Sequence, residues 1–113
     1  MKNFIYKICL IEEWEEAKKV GKFEGTKKDL MDGFIHFSSK EQLNSTLKKY
    51  FSKKEKLILL KISLLNLENL KWEKSQTNEL FPHLYSILNL KNVKDTFKII
   101  LNQSGIHELP SDL

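Results

Sequence analysis

The sequence predicts an α+β fold with antiparallel-rich sheets and two main helices. Along Phe4–Leu10, large apolar side chains alternate onto one face, which is typical of a strand. Ser39 and Gln42 have the spacing of a capping box and predict that a second helix begins there and continues over residues 40–51. The short and almost continuous apolar run Leu57–Ser63 favours a central strand that is covered on both faces.

The composition is that of an ordinary globular protein, with 41% hydrophobic and 30% charged residues. We assign all 113 residues, 1–113, to one domain and expect a monomer or weak dimer. No apolar run approaches the roughly 18 residues of a membrane-spanning helix, so we expect no membrane partner. The single cysteine, Cys9, cannot form an internal disulfide, which favours a cytoplasmic location and a core thiol.

Charge limits the partners of this protein. All 19 basic residues are lysine, so no guanidinium is present to clamp a phosphate or carboxylate in a bidentate manner. The net charge of +4 is modest and its lysines occur in scattered pairs, as on a solvated surface. These features argue against a nucleic acid partner and leave open a small ligand that carries phosphate.

The first helix is predicted over residues 12–20. Glu12 and Glu13 suit the positive end of the helix dipole, and Gly21 suits the position that follows the last turn. Residues 22–31 are predicted as a loop, in which Thr26 and Asp29 have the capping-box spacing of a single helical turn.

The next strand is predicted over residues 33–38, after a turn at Asp32 and Gly33. Because side chains alternate along a strand, Phe34, His36 and Ser38 share one face, and the apolar residues between them point the other way. An imidazole and a hydroxyl are therefore expected side by side on a half-buried strand.

Leu70–Lys74 is predicted as a short strand that carries Trp72 and Glu73 on opposite faces. In one interpretation Trp72 is a core aromatic and Glu73 is solvated. In the other, Glu73 is a partly buried carboxylate beside a cleft, where it can bind a ribose hydroxyl or stabilise a developing cation. Residues 93–101 are predicted as a last strand, with a helix as the alternative.

Two histidines mark the candidate site. Pro82 is expected at the start of a strand, because it cannot donate to a ladder, and His83 and Tyr85 then share a face. His36 and His83 are each flanked by aromatic residues and each lie two residues from a hydroxyl on the same face, at Ser38 and Tyr85. Core histidines with satisfied hydrogen bonds are the alternative to a ligand site.

We predict that polar side chains from separate strands converge on one cleft. They are His36, Ser38, Trp72 or Glu73, and His83 or Tyr85. His36, His83 and Glu73 also have the residue types of a two-histidine, one-carboxylate metal site. No HxH, HExxH or CxxC spacing accompanies them, so we assign no metal.

Six motifs, in order from residue 4 to about 93, resemble the bacterial domain-of-unknown-function 952 family, DUF952. They are residues 5–8 (IYKI), 13–14 (EW), 32–39 (DGFIHFSS), 57–62 (LILLKI), 72–73 (WE) and 81–85 (FPHLY). The resemblance implies a small ADP-ribosyltransferase-like fold with two facing sheets. In relatives of that fold, a glycine-led strand followed by a Ser-capped helix shapes the nicotinamide pocket, and residues 33–51 look like that unit.

The resemblance also implies site roles. Ribosyltransferases of this fold carry a histidine or arginine on the first strand to hold the NAD ribose. The comparable position here is Lys7, which is a departure from that pattern. Their late-strand glutamate corresponds to Glu73, so we expect Glu73 and His36 to be the catalytic candidates. The expected ligand-binding residues are Ser38, Trp72, His83, Tyr85 and Lys7.

We therefore expect a nucleotide- or NAD-related pocket, with NAD as the candidate cofactor and ribosyl transfer as the candidate reaction. A non-catalytic module that binds a small molecule or a protein is the first alternative, favoured by the missing first-strand histidine. RNA-phosphate processing is the second, since RNA 2′-phosphotransferases share the fold, and the absence of arginine weakens it.

Overall fold

The computed structural model describes residues 3–113, along which short helices alternate with strands. The strands are β1 Phe4–Leu10, β2 Lys22–Phe23, β3 Ile35–His36, β4 Leu57–Ser63, β5 Leu70–Lys74, β6 Leu80–Leu84, β7 Leu88–Asn89, β8 Val93–Leu101 and β9 His107–Glu108. The helices are α1 Ile11–Val20, α2 Lys27–Asp32 and α3 Leu43–Tyr50, with 3₁₀ turns at Lys40–Gln42 and Leu90–Asn92. Every pairing among these strands is antiparallel, which confirms the predicted α+β class.

The strands form a four-stranded sheet in the order β1-β4-β8-β9, a three-stranded sheet in the order β3-β6-β5 and a two-stranded ribbon of β2 and β7. The two larger sheets meet where Tyr6 and Ser38 exchange a pair of backbone hydrogen bonds of 2.8 Å. Lys7, the next residue of β1, therefore lies close to the end of β3. The ammonium of Lys7 donates to the carbonyl oxygen of His36 at 2.8 Å.

Strands β1 and β4 of the four-stranded sheet are covered on both faces, whereas every second residue of β8 is exposed. One face of β1 and β4 packs with Leu43 and Leu47 of α3, and the other packs with Trp14 and Ala17 of α1 and with the second sheet. This double burial explains the continuous apolar run of β4, whose even and odd residues both face a core. The predicted central position of Leu57–Ser63 is confirmed, because β4 pairs with β1 and β8.

The segment before β3 differs from the prediction. Residues 22–31, predicted as a loop, contain β2 and most of the six-residue helix α2. Gly33 was expected to open a strand, and it closes α2 instead, with φ of 86° and its N–H bonded to the carbonyl of Asp29. A residue with positive φ ends a helix readily but cannot continue a regular strand. The regular part of the strand is therefore only Ile35–His36, although backbone pairing reaches Ser38.

The other helices and strands agree with their predictions, with one exception at Pro82. Helix α1 matches its predicted range, the helix after Ser39 opens with a 3₁₀ turn, and residues 93–101 form a strand. Pro82 lies in the middle of β6 and not at its start. The carbonyl of Pro82 accepts from Phe37 N–H, and in an antiparallel pair the N–H and the carbonyl of one residue point to the same side. The N–H that proline lacks would therefore face the chain beyond His36, where the regular ladder of β3 has already ended. Within residues 3–113, none of the helices combines the length and the hydrophobicity needed to cross a bilayer.

Candidate functional site

Asp29 is the hub of the site, and its side chain is only 1% exposed. Its Oδ2 accepts from the ammonium of Lys7 at 2.7 Å and from the backbone N–H of Thr26 at 2.8 Å. Its Oδ1 accepts from the backbone N–H of His36 at 3.1 Å and lies 2.6 Å from Nδ1 of the same residue. A buried carboxylate needs several donors to stay ionised. Oδ2 accepts from Lys7 and Thr26, and Oδ1 orients the imidazole of His36.

The close approach of Asp29 to the preceding loop requires a glycine. Gly25 has φ of 116°, and a Cβ built on it would lie 2.7 Å from the Cβ of Asp29. A side chain at residue 25 would therefore collide with the hub and would also strain the backbone.

His36 is held between two carboxylates. Its Nδ1 faces Asp29 Oδ1, and its Nε2 lies 3.0 Å from Oδ2 of Asp32, the last residue of α2. A carboxylate oxygen only accepts, so each ring nitrogen meets its carboxylate as an N–H donor, Nδ1 toward Asp29 and Nε2 toward Asp32. The imidazole is about a quarter exposed, so Nε2 lies where a ligand can reach it.

His83 has a carboxylate of its own. Oε1 of Glu73 lies 2.8 Å from Nδ1 of His83 and accepts from the hydroxyl of Tyr85 at 2.6 Å. The bond from Tyr85, and after it the bond from His83, hold the pKa of Glu73 below its usual range, and Glu73 raises the pKa of Tyr85. Glu73 thus serves as an ionised acceptor that orients the second imidazole from one side.

The two imidazoles lie next to each other because β3 and β6 pair with His36 directly opposite His83. Their ring centroids are 5.4 Å apart, and the two rings meet edge to face. Phe34 packs against both, with centroid distances of 4.6 Å to His36 and 4.2 Å to His83. One ligand can therefore contact both rings.

Both histidines line a cavity of about 840 Å³ between the two larger sheets, α2 and α3. Its lining is largely apolar, with aromatic side chains that include Phe34, Tyr50 and Phe81. Six lysines also line it: Lys7, Lys27, Lys28, Lys49, Lys54 and Lys74. They outnumber the four carboxylates of the lining, which are Glu13, Asp29, Asp32 and Glu79. A smaller hollow of about 440 Å³ near residues 63–69 and 86–94 contains no histidine.

The predicted site residues divide into two groups. His36, His83, Ser38 and Lys7 line the cavity. The other three do not line it: Trp72 is partly buried against the core, while Glu73 and Tyr85 contact each other beside His83.

Two cavity residues have their polar atoms bonded within the protein. Lys7 is 6% exposed and its ammonium is engaged by Asp29 and the carbonyl of His36. The hydroxyl of Ser38 lies 2.9 Å from that of Thr46. Gln42, attributed to a capping box, accepts from Ser39 N–H and donates to the carbonyl of Leu80, which ties the helix start to β6.

The sequence analysis missed Asp29 and Asp32 as site residues. Asp29 was noted only as the third helical residue of a capping box, and that local role is real, since Thr26 and Asp29 exchange hydrogen bonds. Its contacts with Lys7 and His36 depend on tertiary structure, so no spacing in the sequence could have shown them.

Burial raises the pKa of the Cys9 thiol to about 12, so Cys9 stays protonated near neutral pH and is no nucleophile. Among residues 3–113, no three His, Cys, Asp or Glu side chains are grouped so as to hold a metal ion.

Because Asp29 is buried and ionised, we expect the stability of the fold to depend on pH in the acid range. Burial of Asp29 opposes its ionisation, but the hydrogen bond from His36 and the charge of Lys7 outweigh it and hold its pKa well below its usual range. A carboxyl group with a lowered pKa in the folded state stabilises the fold above its unfolded pKa of about 3.9 and loses this contribution as pH falls further. We expect the melting temperature to drop steeply below about pH 4.

Melting curves at a series of acidic pH values test this expectation. Asp29→Asn should flatten the acid limb, because the variant has no proton to take up at this position. Asp95→Asn, which changes an exposed carboxylate on β8, should leave the limb as it is in the unmodified protein. Equal acid limbs in all three proteins would show that Asp29 does not govern it.

Comparison with known proteins gives a family and a fold. The family model described as "Protein of unknown function (DUF952)" matches residues 8–96. The crystal structure of protein CC0527 from Caulobacter crescentus superposes with a TM-score of 0.87 at 42% identity, over 93% of each chain. The solution NMR structure of the same protein gives a TM-score of 0.81 at 42% identity, over 91% of this chain and 90% of that one. No curated protein matches the sequence.

Proposed function

Because the chain belongs to the DUF952 family of proteins of unknown function, we propose its function from its own site: it binds a nucleotide- or NAD-related ligand. Ribosyl transfer is the reaction that we propose for it. One observation carries the proposal, namely that two imidazoles, each oriented by its own carboxylate, lie side by side on the wall of an aromatic cavity bordered by lysines.

The cavity suits such a ligand in size and chemistry. Its volume of about 840 Å³ falls in the range of roughly 300–1,000 Å³ that is usual for small-molecule and cofactor sites. Lysine ammonium groups bind phosphate as point charges, and aromatic side chains offer faces on which a base or nicotinamide ring can stack. The ring of Tyr50 lies close to two of these lysines, with the ammonium groups of Lys28 and Lys49 at 5.6 and 5.3 Å from its centroid.

We propose that Nε2 of His36 and the hydroxyl of Ser38 contact ribose or phosphate oxygens, and that His83 contacts the ring or the ribose. Glu73 acts first as a positioning residue, because its carboxylate is held by Tyr85 and His83 and is not part of the cavity lining. For Glu73 to stabilise oxocarbenium character directly, its carboxylate has to turn toward the cavity when the ligand binds. Trp72 supports β5 through the core.

The finer fold assignment and the cellular location belong to this proposal. The facing antiparallel sheets and the Ser39-capped helix after β3 support an ADP-ribosyltransferase-like arrangement. A cytoplasmic location is supported by the unpaired thiol of Cys9, which is of the kind retained in reducing compartments. A fold-level likeness supplies no reaction, so the chemistry rests on the site.

A non-catalytic binding module is the second candidate, and Lys7 favours it. At the position where ribosyltransferases hold the NAD ribose, the ammonium of Lys7 is occupied by Asp29 and by the carbonyl of His36. A ligand can then bind in the cavity without the group that aligns a ribose for transfer. RNA-phosphate processing, the third candidate, draws only on the lysines of the lining.

A thermal-shift screen with NAD, ADP-ribose, nucleotides and sugar phosphates tests the proposal. A ligand at roughly 100 times its dissociation constant adds about 2.7 kcal/mol to the free energy of unfolding. In a domain of this size, each kcal/mol raises the melting temperature by about 4–8 °C. Absence of a shift with every compound in the panel would refute a nucleotide- or NAD-related pocket.

Glu73→Gln then separates catalysis from binding. Glutamine keeps the volume and an acceptor for Tyr85 but removes the charge. If ribosyl transfer occurs, this variant should keep the ligand-induced shift and lose turnover of NAD to nicotinamide. Glu68→Gln, which changes an exposed glutamate outside the cavity, should keep both. A ligand-induced shift with no turnover in the unmodified protein would favour the non-catalytic module.

A further inference from the structure

Asp32 occupies a cradle made of two donors in the cavity wall. The same oxygen, Oδ2, lies 3.0 Å from Nε2 of His36 and 3.1 Å from the ammonium of Lys28. All three residues line the large cavity. One donor comes from β3 and the other from the first turn of α2, so the cradle belongs to the fold and not to a single flexible side chain.

The contact of Asp32 with this cradle is easily broken. The side chain of Asp32 is 37% exposed and that of Lys28 is 57% exposed. Ion pairs that water can reach in this way contribute little to stability. The opposite nitrogen of His36 is fixed by the buried carboxylate of Asp29, so the imidazole keeps its orientation when Asp32 leaves.

We propose that His36 and Lys28 form a subsite for a phosphoryl oxygen, and that Asp32 occupies it as an internal competitor until a phosphorylated ligand displaces it. The inference rests on the proposed function and names the phosphate subsite of that pocket. A non-bridging phosphoryl oxygen accepts from an imidazole N–H and an ammonium in the same way as the Oδ2 of Asp32 does.

The lysines of the lining support a phosphoryl ligand over a plain carboxylate. Two further lysines, Lys27 and Lys49, line the same cavity, and the ammonium of Lys49, like that of Lys28, lies over the ring of Tyr50. A carboxylate has one negative charge to share, whereas a phosphate monoester or a pyrophosphate offers more charge and more oxygens. The phosphate can belong to a nucleotide or to a sugar phosphate, and both sources are arms of the test below.

Isothermal titration of Asp32→Asn with inorganic pyrophosphate, ribose 5-phosphate and ADP-ribose tests the subsite. Asparagine keeps the volume but removes the competing charge, so affinity for all three probes should rise about tenfold, which is about 1.4 kcal/mol. A rise confined to ADP-ribose, or to ribose 5-phosphate, identifies the nucleotide or the sugar phosphate as the source. Asp95→Asn makes the same change in net charge on exposed β8 and should leave the affinities unchanged.

The second arm removes the cradle itself. Lys28→Met added to Asp32→Asn should abolish the gain, whereas Lys98→Met, at an exposed lysine outside the cavity, should preserve it. The subsite is refuted if Asp32→Asn binds no more tightly than the unmodified protein, or if the gain survives loss of Lys28. In either case, ligand-induced shifts of the unmodified protein in the thermal screen would leave the nucleotide pocket standing, so the two proposals fail separately.

Discussion

Replacing Asp29 with asparagine should lower the free energy of unfolding by about 3–5 kcal/mol, because it leaves the buried ammonium of Lys7 without a counter-charge. The salt bridge between them spans 2.7 Å, and both side chains are almost wholly buried. The amide NH₂ of asparagine would also face donors in either orientation: Lys7 and Thr26 N–H at the place of Oδ2, or His36 N–H at the place of Oδ1. The free energy of unfolding of a small domain is only about 5–15 kcal/mol. Urea denaturation should therefore show that this variant loses a large part of its stability.

A double-mutant cycle supplies the control. Lys7→Met alone should also destabilise, because it leaves Asp29 with fewer donors. Added to Asp29→Asn, it should restore part of the lost stability, since exchanging a whole buried ion pair for uncharged groups is often close to neutral. Additive losses in the double variant would show that the two residues do not interact as a buried pair.

Local sequence signals were sufficient to predict most elements of this fold. The alternation of Phe4–Leu10, the Ser39 and Gln42 spacing, and the apolar run of β4 each depend on neighbours within one turn or one strand. Gly33 was misassigned because a glycine before an aromatic and β-branched stretch suits a turn into a strand as well as a helix cap. Only its positive φ, which follows from the tertiary path, separates the two.

The candidate site was predictable where it lies on strands with clear alternation and not where it depends on tertiary contacts. His36 and His83 stood out because each lies among aromatic residues two positions from a hydroxyl. That they face each other follows from the register of β3 and β6, which no local pattern shows. Asp29 was hidden by its capping role. Lys7 was expected as a ligand contact, but its pairing with Asp29, which forms the most deeply buried charges of the site, depends on tertiary structure and was not predicted.

His36→Ala should abolish the ligand-induced thermal shift and should also lower the free energy of unfolding by about 1–3 kcal/mol. The first effect follows from the place of Nε2 on the cavity wall, and the second from the bond between Nδ1 and the buried carboxylate of Asp29. The proposed ligand contact and the structural support therefore both depend on this one side chain. A single alanine variant cannot separate them.

His36→Asn separates the two roles. The amide nitrogen of asparagine can take the place of Nδ1 and donate to Asp29, but the shorter side chain has no group at the position of Nε2. We expect this variant to stay within about 1 kcal/mol of the unmodified protein in urea denaturation, since the bond to the buried carboxylate is kept. It should nevertheless lose the shift with every phosphorylated compound that stabilises the unmodified protein. A full ligand-induced shift in His36→Asn would mean that Nε2 makes no contact with the ligand, and His36 would then serve only to hold Asp29 in place.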